Sequence, residues 1–476
     1  MLTELSFYIF LPICIFVYYL MPAKARYIWL LLCSYYFYCS LDGSFTTLLI
    51  ASTIITWLSG GFISKVETQA QKKVILAIGT LLNLSILLFF KYGDFFLSLT
   101  NTSKRLGLLL PVGISFYTFQ SLTYIFDIYN GDAKPEKNIF KYALFVSFFP
   151  LILSGPIERA KHLIPQLNCD SEFNASKAKT GLQLMLFGYF LKIVIVARMA
   201  ILTDHVFTDY LNQNSVALII AVLAYAVQIY CDFAGYSYIA IGMCEIMGID
   251  IIKNFRQPYF ATSVSDFWRR WHISLSTWFK DYLYIPLGGN RKGQFRKYIN
   301  LIIVFLVSGL WHGANLTFVF WGVLNGIYQV IGDLIKNTKK SIFSSKLLRD
   351  KDVLSRILQT VITFILISFT WIFFRANSIY EAFEIIGCIG KSFSYVNLFD
   401  GTIWSVGLGV KNMLIALFAV AILIFADVIC EKRNCEIYNI LDKVKAPIRW
   451  ATYYLLILLI LFSMNLNMTE FIYSGF

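Results

Sequence analysis

The sequence predicts an all-α polytopic membrane protein with about twelve transmembrane helices and further helices that are re-entrant or interfacial. Three observations carry that prediction. The chain is 58% hydrophobic and 17% aromatic with only 14% charged residues, and its mean hydropathy is +0.65; soluble domains are roughly 45 to 50% apolar. Its apolar runs are near or within the length that crosses about 30 Å of hydrocarbon. Its lysines and arginines gather in the loops between those runs, which is where the positive-inside rule places them.

Taken in order, Leu5 to Met21 has no basic residue before it and no small-residue cleavage site after it, so it reads as a retained helix rather than a signal peptide. Phe45 to Ile63, Val74 to Phe90, Ser215 to Tyr230, Val361 to Phe374, Asn412 to Ile429 and Ala451 to Leu466 are further spans. Several are short, which implies tilt or incomplete crossing. Lys24 and Arg26, then Lys65, Lys72 and Lys73, then Lys134, Lys137 and Lys141, then Arg159, Lys161, Lys177 and Lys179 mark inner loops and put the N-terminus outside; Lys104 and Arg105 oppose this assignment. Residues 253 to 297 form the strongest inner loop. For the parity to hold, Leu144 to Leu153 and Tyr236 to Ile252 must be re-entrant or interfacial, and both termini then lie outside. With no internal repeat or low-complexity tract, the simplest partition is one membrane domain over 1–466 and an outward aromatic tail over 467–476.

The formal charge of +13 does not indicate nucleic acid, because the basic residues are distributed over loops between apolar runs rather than gathered on one face. Nine cysteines without a Cys-x-x-Cys pair, and only four histidines, support neither a disulfide framework nor a metal centre.

Two stretches carry candidate chemistry. The loop from Ser263 to Gly293 places Phe267, Trp271, Ser274 or Leu275, and Trp278 at helical spacing, which predicts an amphipathic interfacial helix ending before Pro286. Its arginines could simply snorkel from an anchoring helix. Alternatively they, with the Gly288-Gly-Asn-Arg-Lys292 turn, hold the phosphates of an anionic donor. The second stretch is Ser308-Gly-Leu-Trp-His-Gly313, at the end of an apolar run that begins after Arg296 and Lys297. A helix of that length carries His312 roughly 22 Å from the basic loop at about 1.5 Å per residue, deep in the bilayer, where an imidazole is by default a functional candidate. It is either a hydrogen-bonded core histidine or a general base; Gly309 and Gly313 would permit close approach of backbone or substrate. Gln120, Asp127, Gln228, Asp232 and Lys91 are expected to pair with one another or with backbone. His162 and His205 stand in loop-like contexts and receive no role.

At these residues the chain resembles the membrane-bound O-acyltransferase family, in particular its bacterial polysaccharide and peptidoglycan O-acetylation branch. Leu110-Pro-Val-Gly-Ile-Ser-Phe-Tyr-Thr-Phe-Gln120, Ser154-Gly-Pro-Ile-Glu158, Tyr230-Cys-Asp-Phe-Ala-Gly-Tyr236, Asp266 to Gly293, Gly309-Leu-Trp-His-Gly313 and Trp371-Ile-Phe-Phe-Arg-Ala376 carry the resemblance. Ala234, Tyr238 and Asn325 depart from the family's usual Ser, Asp and His. The resemblance implies a cytoplasmic funnel and an outer cavity meeting at a buried catalytic histidine, His312, with His272 on the donor side. It implies acetyl-CoA as the acyl donor and no permanently bound cofactor. It also implies an inner-membrane location and delivery to a periplasmic SGNH-type or lipase-like partner. Arg269, Arg270, Trp271, Lys280, Asn290, Arg291, Lys292 and Trp311 are the candidate donor-binding residues. The tail Thr469 to Phe476 resembles the branch's aromatic C-terminal motif, which makes Tyr473 the candidate acyl carrier. The same family includes enzymes that transfer D-alanyl groups from a carrier protein, which is the competing substrate. A transporter or flippase, the competing class, would call for symmetric halves that the sequence lacks.

Overall fold

A computed structural model of the protein describes residues 2–99, 106–167, 172–342, 353–391, 394–442 and 444–464. Tyr473 and the rest of the 467–476 tail, like Lys104 and Arg105, lie outside the described residues. All regular structure among the described residues is helical.

The helices run in chain order as α1 (Leu5–Leu20), α2 (Ala23–Asp42), α3 (Thr46–Lys65), α4 (Gln69–Leu99), α5 (Ile114–Asn130), α6 (Ile139–Ser147), α7 (Ala160–Leu167) and α8 (Ala175–Tyr189). A π-helical turn, Phe190–Val196, joins α8 to α9 (Ala197–Thr208), and α10 spans Ser215–Ile246. Then come α11 (Val264–Arg270), α12 (Ile273–Phe279), α13 (Gln294–His312), α14 (Leu316–Ile342), α15 (Val353–Arg375), α16 (Ile379–Lys391), α17 (Thr402–Ser405), α18 (Gly409–Arg433), α19 (Ile437–Asp442) and α20 (Ala446–Ser463). Among the described residues, 8 helical stretches are long and apolar enough to cross a membrane, and α1 is a shorter apolar helix. The protein is thus an all-α, multi-pass membrane protein.

Two segments differ from their sequence reading. Tyr236 to Ile252 is not separate from the span before it, since α10 continues unbroken to Ile246 over 32 residues. Glycine inside that helix serves packing: a Cβ on Gly242 would lie 2.5 Å from the Gly181 carbonyl oxygen on α8, so the small residue permits the close crossing. The predicted amphipathic helix over Phe267 to Trp278 is two helices, α11 and α12, broken at Trp271 and His272. His272 has φ 43°, in the left-handed region, where a residue with a Cβ is costly to hold. The break is sustained because Asn254 satisfies the start of α12. Its carbonyl accepts from the Ile273 N–H at 3.0 Å, and its Oδ1 accepts from the Ser274 N–H at 3.3 Å and hydroxyl at 2.6 Å.

The chain packs as two compact units, one made of residues up to Gly188 with Tyr236–Lys253, the other of Tyr189–Gly235 with the chain from Asn254 onward. In the first, polar side chains are buried between α3, α4 and α5: the Ser52 hydroxyl donates to Asn83 Oδ1 at 3.1 Å, and Lys91 donates to the Ser115 hydroxyl at 3.1 Å. Gln120 donates to the Phe145 carbonyl. In the second, Gln228 Oε1 accepts from Thr203 at 2.8 Å, and Asp232 forms an ion pair with Lys192 in the π-helical turn. Each of these groups finds a partner at depth, where an unsatisfied one would cost several kcal/mol.

Candidate active site

Both histidine turns, at His272 and His312, lie in the second unit. α13 carries His312 in its last turn, and the glycines around it set how closely the next helix approaches. A Cβ on Gly309 would sit 2.2 Å from the Phe318 carbonyl oxygen, and one on Gly322 would sit 2.2 Å from that of Phe305. The two helices therefore cross backbone to backbone, as small residues allow. Gly313 ends α13 against the Phe318 ring, which a Cβ there would approach to 2.3 Å.

The His312 imidazole is only 3% exposed. Its ring centroid lies 4.9 Å from that of Trp311, 5.1 Å from Trp321 and 5.2 Å from Phe374. His272, at 1% exposure, packs edge-on to Phe233 at 4.6 Å and reaches Trp311 at 6.0 Å. One indole thus separates the two imidazoles, although the residues are forty positions apart in sequence. Burial pushes the His272 pKa down to about 3, because the charged form cannot be solvated there. At neutral pH His272 is uncharged and a weak base.

A continuous aromatic body ties the two histidine turns together. Trp271 stacks on Phe267 at 5.3 Å and meets Trp371 at 5.2 Å; Trp371 stacks on Trp321 at 5.8 Å, and Trp321 is the neighbour of His312. Trp268 meets Trp321 at 5.5 Å and donates its indole N–H to Asn325 Oδ1 at 3.3 Å. Asn325 in turn donates to the Trp321 carbonyl at 2.9 Å. Asn325 is therefore a structural brace in this chain. Aromatic pairs of this kind contribute about 0.5 to 1.5 kcal/mol each beyond their area burial.

The eight candidate donor-binding residues divide into three sets. Arg269, Lys280, Asn290, Arg291 and Lys292 are exposed. The turn that carries three of them is held onto α13 by Asn300, whose amide donates to the Gly289 carbonyl at 2.9 Å. Trp271 and Trp311 are buried in the aromatic body. Arg270 is committed to carboxylates, with Nη1 2.7 Å from Glu431 Oε2 and Nε 3.0 Å from Asp266 Oδ2.

The profile of the membrane-bound O-acyltransferase family matches residues 136–376, a segment that contains both histidine turns. The chain is also 36% identical over 399 residues to a probable alginate O-acetylase AlgI of Pseudomonas syringae, covering 81% of this chain and 74% of that protein. This chain belongs to the membrane-bound O-acyltransferase family. The peptidoglycan O-acetyltransferase of Helicobacter pylori is 34% identical over 426 residues, covering 82% of this O-acyltransferase and 79% of the relative. The teichoic acid D-alanyltransferase of Bacillus subtilis is 27% identical over 253 residues, covering 49% and 62%.

Two groups in this O-acyltransferase carry charge chemistry that the sequence reading passed over. On α18, Asp427 and Glu431 stand one turn apart; Asp427 accepts from the buried Tyr230 hydroxyl at 3.2 Å, and Glu431 holds Arg270. The available signal was an acid, Asp427, inside the apolar run Asn412 to Ile429. In the first unit, His162 Nδ1 lies 2.8 Å from Glu158 Oε2, the carboxylate being fully buried and the imidazole side chain 43% exposed. The Glu158 hydrogen bond raises the His162 pKa. Here the signal was the i, i+4 spacing of acid and histidine.

Proposed function

We propose that this O-acyltransferase is an inner-membrane O-acetyltransferase that takes acetyl from cytoplasmic acetyl-CoA and delivers it outward for O-acetylation of peptidoglycan or an exported polysaccharide, through a periplasmic SGNH-type or lipase-like partner. The observation that carries the catalytic part is the convergence of His272 and His312 on the Trp311 ring. The choice of acetyl rests on relatives named for O-acetylation over about four-fifths of this chain. The relative named for D-alanyl transfer matches about half.

In this reading His312 is the general base. It takes the proton of an attacking hydroxyl as that oxygen bonds to the thioester carbonyl; collapse of the tetrahedral intermediate breaks the carbon–sulfur bond, and coenzyme A leaves as the thiol with the proton. Such a base contributes about 10² to 10⁴-fold. His272, neutral and a weak base at working pH, suits hydrogen bonding to the donor better than proton abstraction. The exposed cations Arg269, Lys280, Arg291 and Lys292, with the Asn290 amide, face the donor phosphates. The first acceptor is the Tyr473 phenol, whose ordinary pKa near 10 makes it a poor nucleophile without a base; a second attack by the partner's nucleophile or the glycan then carries the acetyl away.

Intact-protein mass measurement after incubation of the full chain with acetyl-CoA tests this. The expected result is an acetyl increment that is lost in Tyr473→Phe. An increment that persists in that variant removes the carrier step, and turnover only with a D-alanyl-loaded carrier protein replaces the donor.

A further inference from the structure

Arg270 lies two residues before His272 and would be counted with the donor-binding cations. Its surroundings assign it elsewhere. Its guanidinium is forked onto Glu431, with Nη1 to Oε2 at 2.7 Å and Nη2 to Oε1 at 3.3 Å, while its Nε faces Asp266 Oδ2 at 3.0 Å. Fork-to-carboxylate geometry of this kind is directional as well as charged. All three side chains are four-fifths buried or nearly so.

The grip extends beyond one residue. The Arg270 carbonyl accepts from the Arg256 N–H at 3.0 Å, and Arg256 itself donates to Asn434 Oδ1 at 2.5 Å. Asp427, Glu431 and Asn434 thus form one polar edge at the end of α18. Through Tyr230, Arg270 and Arg256 that edge holds the chain entering the His272 turn, and Tyr230 packs on Trp271 at 6.2 Å. On the other side of His272, Asn254 fixes Ile273 and Ser274. A left-handed, non-glycine backbone persists only where its surroundings over-determine it, and these contacts do so from both flanks.

We infer that Glu431 is a positioning residue that acts through Arg270 to hold the His272 turn, and that Arg270 is a strut rather than a ligand of the acyl donor. This rests on the assignment of His272 and His312 to the reaction.

A double-mutant cycle on the full chain in membrane vesicles distinguishes strut from ligand, reading the maximal rate and the half-saturating acetyl-CoA concentration of labelled acetyl transfer. For a strut, Glu431→Gln and Arg270→Gln each lower the maximal rate by about tenfold with little change in half-saturation. The double variant loses clearly less than the product of the two, since the pair they share is removed only once, while Arg270 keeps Asp266 and Glu431 keeps Arg356, 3.5 Å away, as separate partners. Arg270→Lys, which keeps the charge but loses the fork, falls between wild type and Arg270→Gln. If Arg270→Gln instead raises the half-saturating concentration while Glu431→Gln leaves both quantities unchanged, Arg270 is a donor ligand and the inference is overturned. Should Glu431→Gln not elute as a monodisperse peak, Arg270→Lys and the milder Asn434→Ala give the same reading. His272→Ala serves as the control. If it keeps wild-type turnover, the site assignment itself fails; if it abolishes turnover while the strut variants do not, only the strut role fails.

Discussion

His312 and His162 have opposite surroundings, and the contrast shows what the protein can ask of each. His312 is enclosed by three aromatic rings. His162 rests on a fully buried carboxylate and turns an open edge to solvent. By residue types alone, Glu158 and His162 are nearer to an orienting acid and its base. Yet Glu158 is occupied on its other side by the Ile252 N–H. Gln166, one turn beyond His162, both donates to the Asp250 carbonyl at 2.9 Å and accepts from its N–H at 2.7 Å. The Glu158, His162 and Gln166 row is therefore a zipper that fastens α7 to residues 250–252. A histidine held on a buried carboxylate suits fastening; one enclosed by aromatic rings suits the base role proposed for it.

The largest expected effect breaks or confirms this division directly. His312→Ala should lower acetyl transfer by about 10² to 10⁴-fold, the range for losing a general base, while His162→Ala should leave the rate within a few-fold of wild type. Labelled acetyl transfer in vesicles measures both. If His162→Ala causes the larger loss, the roles are reversed and the zipper is the catalytic dyad.

A smaller effect, on stability, belongs to the zipper. Glu158→Gln keeps the shape but removes the charge, and an amide cannot accept at both oxygen positions. It should cost about 1 to 3 kcal/mol, as for a buried group left unsatisfied, seen as a lower unfolding temperature of the detergent-solubilised protein. An unchanged unfolding temperature would mean that His162 and Ile252 contribute nothing through this carboxylate.

How much of this was legible in the sequence follows from how local each cause is. The helix delivering His312 was legible because its run from Tyr298 to Leu310 is mostly apolar and its flanking glycines are adjacent. The break at His272 was not, because the aromatic spacing of Phe267, Trp271 and Trp278 continues across it and the group that sustains it, Asn254, lies well upstream. The role of Arg270 was hidden by distance: Glu431 is 161 residues away. Basic residues in one loop read alike in a sequence, but their burial and partners separate five exposed polar residues from one strut. The acid and histidine of the zipper stand within one turn of each other, but the burial of Glu158 and its Ile252 partner are not local and could not be read. Tyr473 lies outside the described residues, so its part stays with the proposal.

The smallest effect sharpens the same contrast through pH. Burial lowers the His272 pKa to about 3 against an unfolded value near 6.5. The unfolded state therefore binds more protons between these values, so the contribution of His272 is complete above about pH 6.5 and falls as pH drops toward 3. His162 has the opposite sign: its pKa is raised by Glu158, so its contribution is complete below about pH 6.5 and is lost as pH rises through the folded value. Unfolding temperatures measured between pH 5 and 8 on wild type, His272→Asn and His162→Gln should separate the two. Removing His272 should flatten the rise in stability from acid toward neutral pH, and removing His162 should make that rise steeper, because the opposing slope is gone. The His162 change should be the smaller of the two, since its half-exposed ring is screened by water. Identical profiles for wild type and His272→Asn would show that position 272 is solvated in the folded protein, contrary to the enclosure formed by Phe233 and Trp311.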